Sequence, residues 1–213
     1  TSGLAWCHRS RCIRLELPRC LLVVIGTCIQ QWQEAVSRLL SVCKRCVKFH
    51  GWCNAEGVRI ALAQLNQTVG DLDGNLVRLE SAYARAARAG VDVVVYPELA
   101  VTGYPPEDLV LKPGFVKDNQ ALLERFAAAT GDTAAVVGFV DASSGVLYNA
   151  AAVCHRGRVI HTYRKNRLPN YGPFDENRYF ECGGIEDATV EIAGVSCGVT
   201  ICEDIWDANG PVL

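Results

Sequence analysis

From residue 58 onward, apolar and polar positions alternate with two distinct periods. The run Val58–Leu65 places Val, Ile, Leu and Ala in a strand-like pattern, and Val91–Tyr96 is a continuous apolar stretch of the kind that forms a buried strand. Between them, Leu76, Leu79, Tyr83, Ala86 and Ala87 recur at helical spacing across Asn75–Ala89, and Gly90 supplies a stop signal. A second helix is predicted from Asp118 to Ala129, closed by Gly131, and a further strand over Ala134–Val140. The pattern then changes to paired strands. Leu147–His155 and Arg158–Arg164 meet at Arg156-Gly157, and Thr189–Ile192 and Val195–Ile201 meet at Ala193-Gly194, both suited to tight hairpins. The order β-α-β-α-β followed by hairpins predicts an α/β domain of the α+β type, a mixed sheet with helices on one face.

Residues 1–57 follow another pattern. The apolar run Leu21–Ile29 after Arg9, Arg11, Arg14 and Arg19 has the outline of a targeting peptide, but it is too short to span a bilayer. Gln30–Val47 fits one amphipathic helix through Trp32, Val36, Leu39, Leu40 and Cys43. Cys43 and Cys46 make a CxxC that would be half of a zinc site if a second pair followed at suitable spacing, for which His50 and Cys53 are weak candidates.

Composition sharpens that boundary. Residues 1–57 carry eight basic against three acidic side chains, whereas residues 58–213 carry thirteen against twenty. Seven of the eleven cysteines fall in the first segment. The expectation is therefore a cysteine-rich basic extension over 1–57, non-native, upstream-translated or disordered, with a targeting or docking extension and a metal-binding element as alternatives, joined to one partial domain over 58–213. The chain has no methionine, so missing ends are expected as well. A net charge of −2 with 21% charged residues gives no wholesale attraction to nucleic acid or membrane. The odd cysteine count without a disulfide framework points to a cytoplasmic setting where thiols stay reduced.

Three reactive side chains fall at the downstream ends of predicted strands, where an open sheet can bring them to one rim. Cys202 follows Val199-Thr200-Ile201, a placement expected to leave its sulfur exposed. A thiol of ordinary pKa is only a few per cent thiolate at neutral pH, so as a nucleophile it needs a base or a positive field nearby. Glu98, directly after Val93–Pro97, supplies a carboxylate, and Lys165 a cation. Taken singly, each has an ordinary alternative: an inert thiol, a solvated carboxylate, a surface lysine. Cys154, Cys182 and Cys197 receive the inert alternative.

The segments around these residues carry more information than the residues alone. AQLNQTVGDLDGN, PELAVTGYPPEDL, LPNYGPFDENRYF and CEDIW, spread from Val58 to about Ala208, resemble the nitrilase superfamily of carbon–nitrogen hydrolases, and specifically the glutamine-hydrolysing domain of glutamine-dependent NAD synthetases. The resemblance implies a four-layer α-β-β-α sandwich, incomplete at its C-terminal end. It implies Glu98 as general base, Lys165 as the cation facing the oxyanion and Cys202 as nucleophile. It places Glu176 near the site, Tyr104 on the substrate side and Phe180 along the pocket; for Tyr104 and Phe180 plain packing is the alternative. Glutamine is the implied substrate, and no metal or cofactor is implied for its hydrolysis. The ammonia would pass to a C-terminal synthetase domain that uses ATP and Mg2+ to convert deamido-NAD, within a parent expected to be a homo-oligomer. No glycine-rich SGGxDS loop of such a domain occurs in the chain. Two other functions stay open: a stand-alone amidase of the same superfamily, and a non-catalytic fragment.

Overall fold

The computed structural model describes the backbone of residues 20–25, together with residues 58–206 and residue 211. The expected helix over 30–47 and the Cys43, Cys46, His50, Cys53 group lie outside the described residues. Strand β1 (Cys20–Ile25) covers the first part of the apolar run. It is followed by β2 (Ile60–Leu62), helix α1 (Leu72–Arg88), β3 (Val93–Val95), helix α2 (Pro113–Ala128), β4 (Ala134–Ser143), β5 (Val146–His155), β6 (Arg158–Arg164), β7 (Thr189–Ile192) and β8 (Val195–Ile201).

Both helices begin earlier than the apolar period suggests, because their starts are set by polar and ring chemistry. The Asp71 carboxylate accepts the Gly74 N–H at 3.1 Å and caps α1, three residues before the expected start. Asp73 in the first turn and Arg85 and Arg88 in the last complement the helix dipole. Helix α2 opens on Pro113, whose fixed φ suits the first helical position, five residues before the expected start. The hairpin turns behave as read. Arg156 and Gly157 have φ of 49° and 83°, and Ala193 and Gly194 have 51° and 76°, the left-handed pair that matches the twist of flanking antiparallel strands.

The strands make two sheets. Five run in the order β2-β3-β4-β5-β6, parallel from β2 to β4 and antiparallel from β4 to β6. The helices cover one face, where Leu76, Leu79, Tyr83, Phe126 and Ala127 pack on Val94, Tyr96, Ala135 and Val137. Phe126 stands edge-on to both Tyr83 and Tyr96, at centroid separations of 5.8 and 5.7 Å. The hairpin β7–β8 does not extend this sheet. It covers the opposite face, where Val93, Val95, Val136 and Tyr163 meet Ile192, Cys197, Val199 and Ile201. Strands β3 and β4 are thus buried on both faces, which is why they read as unbroken apolar runs. On its outer side β8 pairs in parallel with β1, from Cys20 opposite Ser196 to Ile25 opposite Ile201. The result is an α–β–β stack, with helices, first sheet and second sheet in the order the sandwich requires.

Candidate active site

Because β3, β4 and β6 point the same way, the downstream ends of β3 and β6 lie on one side of the first sheet, and β8 delivers its own end from the second sheet. The three candidate residues therefore sit between two sheets rather than along the rim of one. Glu98 lies where the chain leaves β3 by a tight turn: Leu99 has φ of 48°, and Val101 N–H returns to Gly138 O at 3.1 Å. The turn is pressed onto β4 so closely that a Cβ on Gly138 would stand 2.4 Å from Leu99 N and 2.5 Å from Pro97 O. Lys165 continues β6, its N–H donating to Asn149 O at 2.8 Å and its carbonyl accepting Gly183 N–H at 2.8 Å. Cys202 is the first residue after β8 and adopts φ of 47°, a left-handed conformation that is strained for a residue with a side chain.

These turns gather a buried charge cluster. The Lys165 ammonium donates to Glu98 Oε1 at 2.7 Å and to Glu176 Oε1 and Oε2 at 2.9 and 2.8 Å. Tyr104 O–H donates to Glu176 Oε1 at 3.0 Å. Lys165 has no exposed surface, and Glu98 and Glu176 are 2% and 4% exposed. Burial alone pushes the ammonium down, but Glu98 and Glu176 outweigh it and hold Lys165 above its ordinary range as a permanent cation. Burial and the neighbouring Glu98 charge raise Glu176 from 4.5 to about 7, against the pull of Lys165. Burial also pushes the Tyr104 hydroxyl up, with the Glu176 and Glu98 charges adding to it, so it stays a donor.

The Cys202 thiol falls within the field of Glu98, Lys165 and Glu176. Contrary to the expectation of an exposed sulfur, Cys202 is 8% exposed, because the strand end is enclosed between the sheets instead of standing at an open edge. Burial, and then Glu98, push the thiol above its ordinary value, and Lys165 only partly offsets them. Burial thus favours the neutral thiol over the thiolate, and a nucleophilic role would need a base to take its proton. Phe180 is buried with Leu99, Val110, Val116 and Val140, and Tyr104 is partly buried against the same cluster.

Two residues that the sequence reading did not single out complete the arrangement. Asn149 on β5 is fully buried and donates Nδ2 to Glu98 Oε1 at 2.7 Å and to Glu176 Oε2 at 3.3 Å. Asp204, also fully buried, accepts Ile201 N–H and Tyr163 O–H on Oδ2 at 2.9 and 2.7 Å, and Asn166 N–H and Arg167 N–H on Oδ1 at 3.0 and 2.7 Å. One carboxylate thus ties the end of β8 to the residues on both sides of Lys165. Burial raises its pKa, opposed by those donors. The available signals were an amide inside the apolar run Val146–Cys154 and a second acid after Cys202.

A buried cation between two carboxylates beside a thiol can offer a proton acceptor, a positive field and a nucleophile to one bound carbonyl compound. Glu98 Oε2 is buried and has no hydrogen-bond partner among the described residues, which leaves it open to accept a proton. Among the described residues no group of three or more His, Cys, Asp or Glu is placed to hold a metal, and no helix is long and apolar enough to cross a membrane.

Comparison with known proteins adds an independent line. Residues 59–212 match the family model described as carbon-nitrogen hydrolase. The chain is 47% identical over 156 residues to the glutamine-dependent NAD(+) synthetase of Thermotoga maritima, covering 72% of this chain and 27% of that protein. Among solved structures, the glutamine-dependent NAD+ synthetase of Acinetobacter baumannii in complex with ADP superposes with a TM-score of 0.68 at 40% identity, over 72% of this chain and 29% of that one. A variant amidase from Nesterenkonia sp. AN1, showing covalent addition of the acetamide moiety of fluoroacetamide at its active site cysteine, gives 0.60 at 26% identity, over 69% and 56%. The chain thus spans little more than a quarter of the length of the synthetases it resembles.

Proposed function

The chain belongs to the carbon–nitrogen hydrolase family, and from that premise we propose that it performs the glutamine-hydrolysing step of a longer glutamine-dependent NAD+ synthetase, with Cys202, Glu98 and Lys165 as its catalytic residues. The observation that carries this reading is the buried Glu98–Lys165–Glu176 cluster facing the thiol of Cys202 across the two sheets.

Each residue type fits one part of the reaction. Glu98 Oε2 takes the thiol proton as Sγ attacks the side-chain amide carbon of glutamine, and the carbonyl π electrons move onto oxygen. Lys165 and a backbone N–H near Cys202 receive that oxyanion; one preorganised donor of this kind contributes roughly 10²–10³ in kcat. As the C–N bond breaks, the nitrogen takes the proton held by Glu98 and leaves as ammonia. A water molecule then gives its proton to Glu98 and its oxygen to the thioester carbon, the C–S bond breaks, and Sγ regains the proton as glutamate departs. Glu176 keeps Lys165 in place, and Tyr104 keeps Glu176 in place. Tyr104, Glu176 and Phe180 are assigned to the substrate side, Phe180 through the apolar cluster it shares with Tyr104. Every step is a proton or acyl transfer, so side chains suffice for it. ATP and Mg2+ are assigned to a synthetase portion that consumes the ammonia, in a homo-oligomeric parent.

A second reading, an amidase for simple amides, is favoured by the acetamide adduct at the cysteine of the Nesterenkonia enzyme. Ammonia release measured side by side from glutamine and butyramide separates the two. Glutamine is expected to be the better substrate by kcat/KM, and Cys202→Ala to abolish its turnover. Faster turnover of butyramide selects the amidase instead.

A further inference from the structure

We infer that Asn149 is a positioning residue that selects which carboxylate, and which of its oxygens, acts as the base. This rests on the hydrolase reading above and goes beyond it, because two buried carboxylates, Glu98 and Glu176, flank the same ammonium and proximity to Lys165 does not choose between them.

The hydrogen-bond inventory does choose. Glu176 has both oxygens engaged: Lys165 donates to each, Tyr104 to Oε1 and Asn149 to Oε2. Glu98 receives its two donors, Lys165 Nζ and Asn149 Nδ2, on a single oxygen, Oε1, both at 2.7 Å. Its Oε2 is left buried without a partner among the described residues. A terminal carboxylate torsion is broad and roughly two-fold, so one donor on Oε1 leaves the group free to swing or to exchange its oxygens. A second donor from a different direction fixes it. Lys165 Nζ approaches from the end of β6 and Asn149 Nδ2 from β5, and these two strands are locked in register there by Lys165 N–H to Asn149 O at 2.8 Å. Asn149 therefore holds the plane of the Glu98 carboxylate with Oε2 free, and it occupies the lone pair of Glu176 Oε2 that would otherwise compete for the proton.

The amide suits this task better than another cation or a hydroxyl. Its two N–H bonds can reach two acceptors at once, and it adds no charge to a cluster that already holds one ammonium between two carboxylates. Asn149 Oδ1 is itself buried without a partner among the described residues, so the side chain is oriented by what its nitrogen donates to.

The test compares the full chain with its Asn149→Leu variant, measuring kcat and KM for glutamine across pH and the pH dependence of Cys202 modification by a diazo-ketone analogue of glutamine. General-base contributions are commonly 10²–10⁴, so mispositioning the base is expected to lower kcat by about a hundredfold with KM changed only a few-fold. The acid limb of the rate profile is expected to move to higher pH, because Glu176, already raised to about 7, loses a donor that favours its charged form. Asn149→Ala, which removes the amide donor without adding charge, reads the same quantities if the leucine variant does not fold. An acid limb that stays in place while kcat falls only with the folded fraction overturns the inference and leaves Asn149 a packing residue. A wild-type chain that neither turns over glutamine nor takes the label on Cys202 removes the hydrolase reading, and the inference with it.

Discussion

At the scale of single residues, the site is governed by what burial does to charge. Asp204 accepts four hydrogen bonds that join the end of β8 to both flanks of Lys165. Replacing it by Asn turns one acceptor oxygen into a donor and strands two of those groups in the interior, an expected loss of about 3 kcal/mol, read as a lower denaturant midpoint with unchanged slope. Glu176 gives a pH signature. Its folded-state pKa is raised from 4.5 to about 7, so its contribution to stability is fully present below pH 4.5 and is lost as pH rises through about 7. Wild type minus Glu176→Gln, measured by denaturant unfolding, should therefore be more favourable near pH 5 than near pH 8, and a difference that grows with pH would contradict the assignment. Among the residues, the gathering of Glu98, Lys165 and Cys202 was legible because each follows the downstream end of a strand within a recognisable segment. Asn149 was not, since a lone amide inside a strand gives no periodic signal and its role depends on two carboxylates far away in sequence.

At the scale of elements, turn chemistry was more legible than helix starts. The hairpins at Arg156-Gly157 and Ala193-Gly194 fall where their left-handed pairs require. Helix α1 is capped by Asp71 and α2 opens on Pro113, signals that precede the apolar period by several residues. Partner packing was hidden altogether. Nothing in Thr189–Ile201 says whether that hairpin extends the first sheet or covers it, and the burial of Cys202 follows from the second choice. The contact between β4 and the Glu98 turn is another such case. Gly138→Ala would drive a methyl group into the backbone of Pro97 to Leu99, so the turn must shift and carry Glu98 off Oε1–Lys165 geometry. Glutamine turnover is expected to fall by more than tenfold, since a small misplacement of a catalytic group can cost that much, in protein that still melts cooperatively. A Gly138→Ala variant with full activity would show that the turn tolerates displacement.

At the scale of the whole molecule, two sheets hold the two halves of the proposed chemistry, Glu98 and Lys165 on one and Cys202 on the other. In that proposal activity depends on how rigidly β8 is seated. Strand β8 is paired with β7 on one side and with β1 on the other. A chain begun at Val58 lacks the β1 partner, and amide hydrogen exchange along Val195–Ile201 is expected to quicken relative to β4 and β5, whose pairing is untouched; equal protection in both chains would show that β1 contributes nothing to β8. The central claim is that Cys202 is the nucleophile of an assembled site, distinct from the chain's other thiols. It is tested most directly by mapping, with peptide mass spectrometry, which cysteine a diazo-ketone analogue of glutamine modifies. The account predicts modification confined to Cys202, suppressed by glutamine and absent in Glu98→Gln. Labelling that leaves Cys202 untouched, or that spreads equally over Cys154, Cys182 and Cys197 without protection by glutamine, would contradict it.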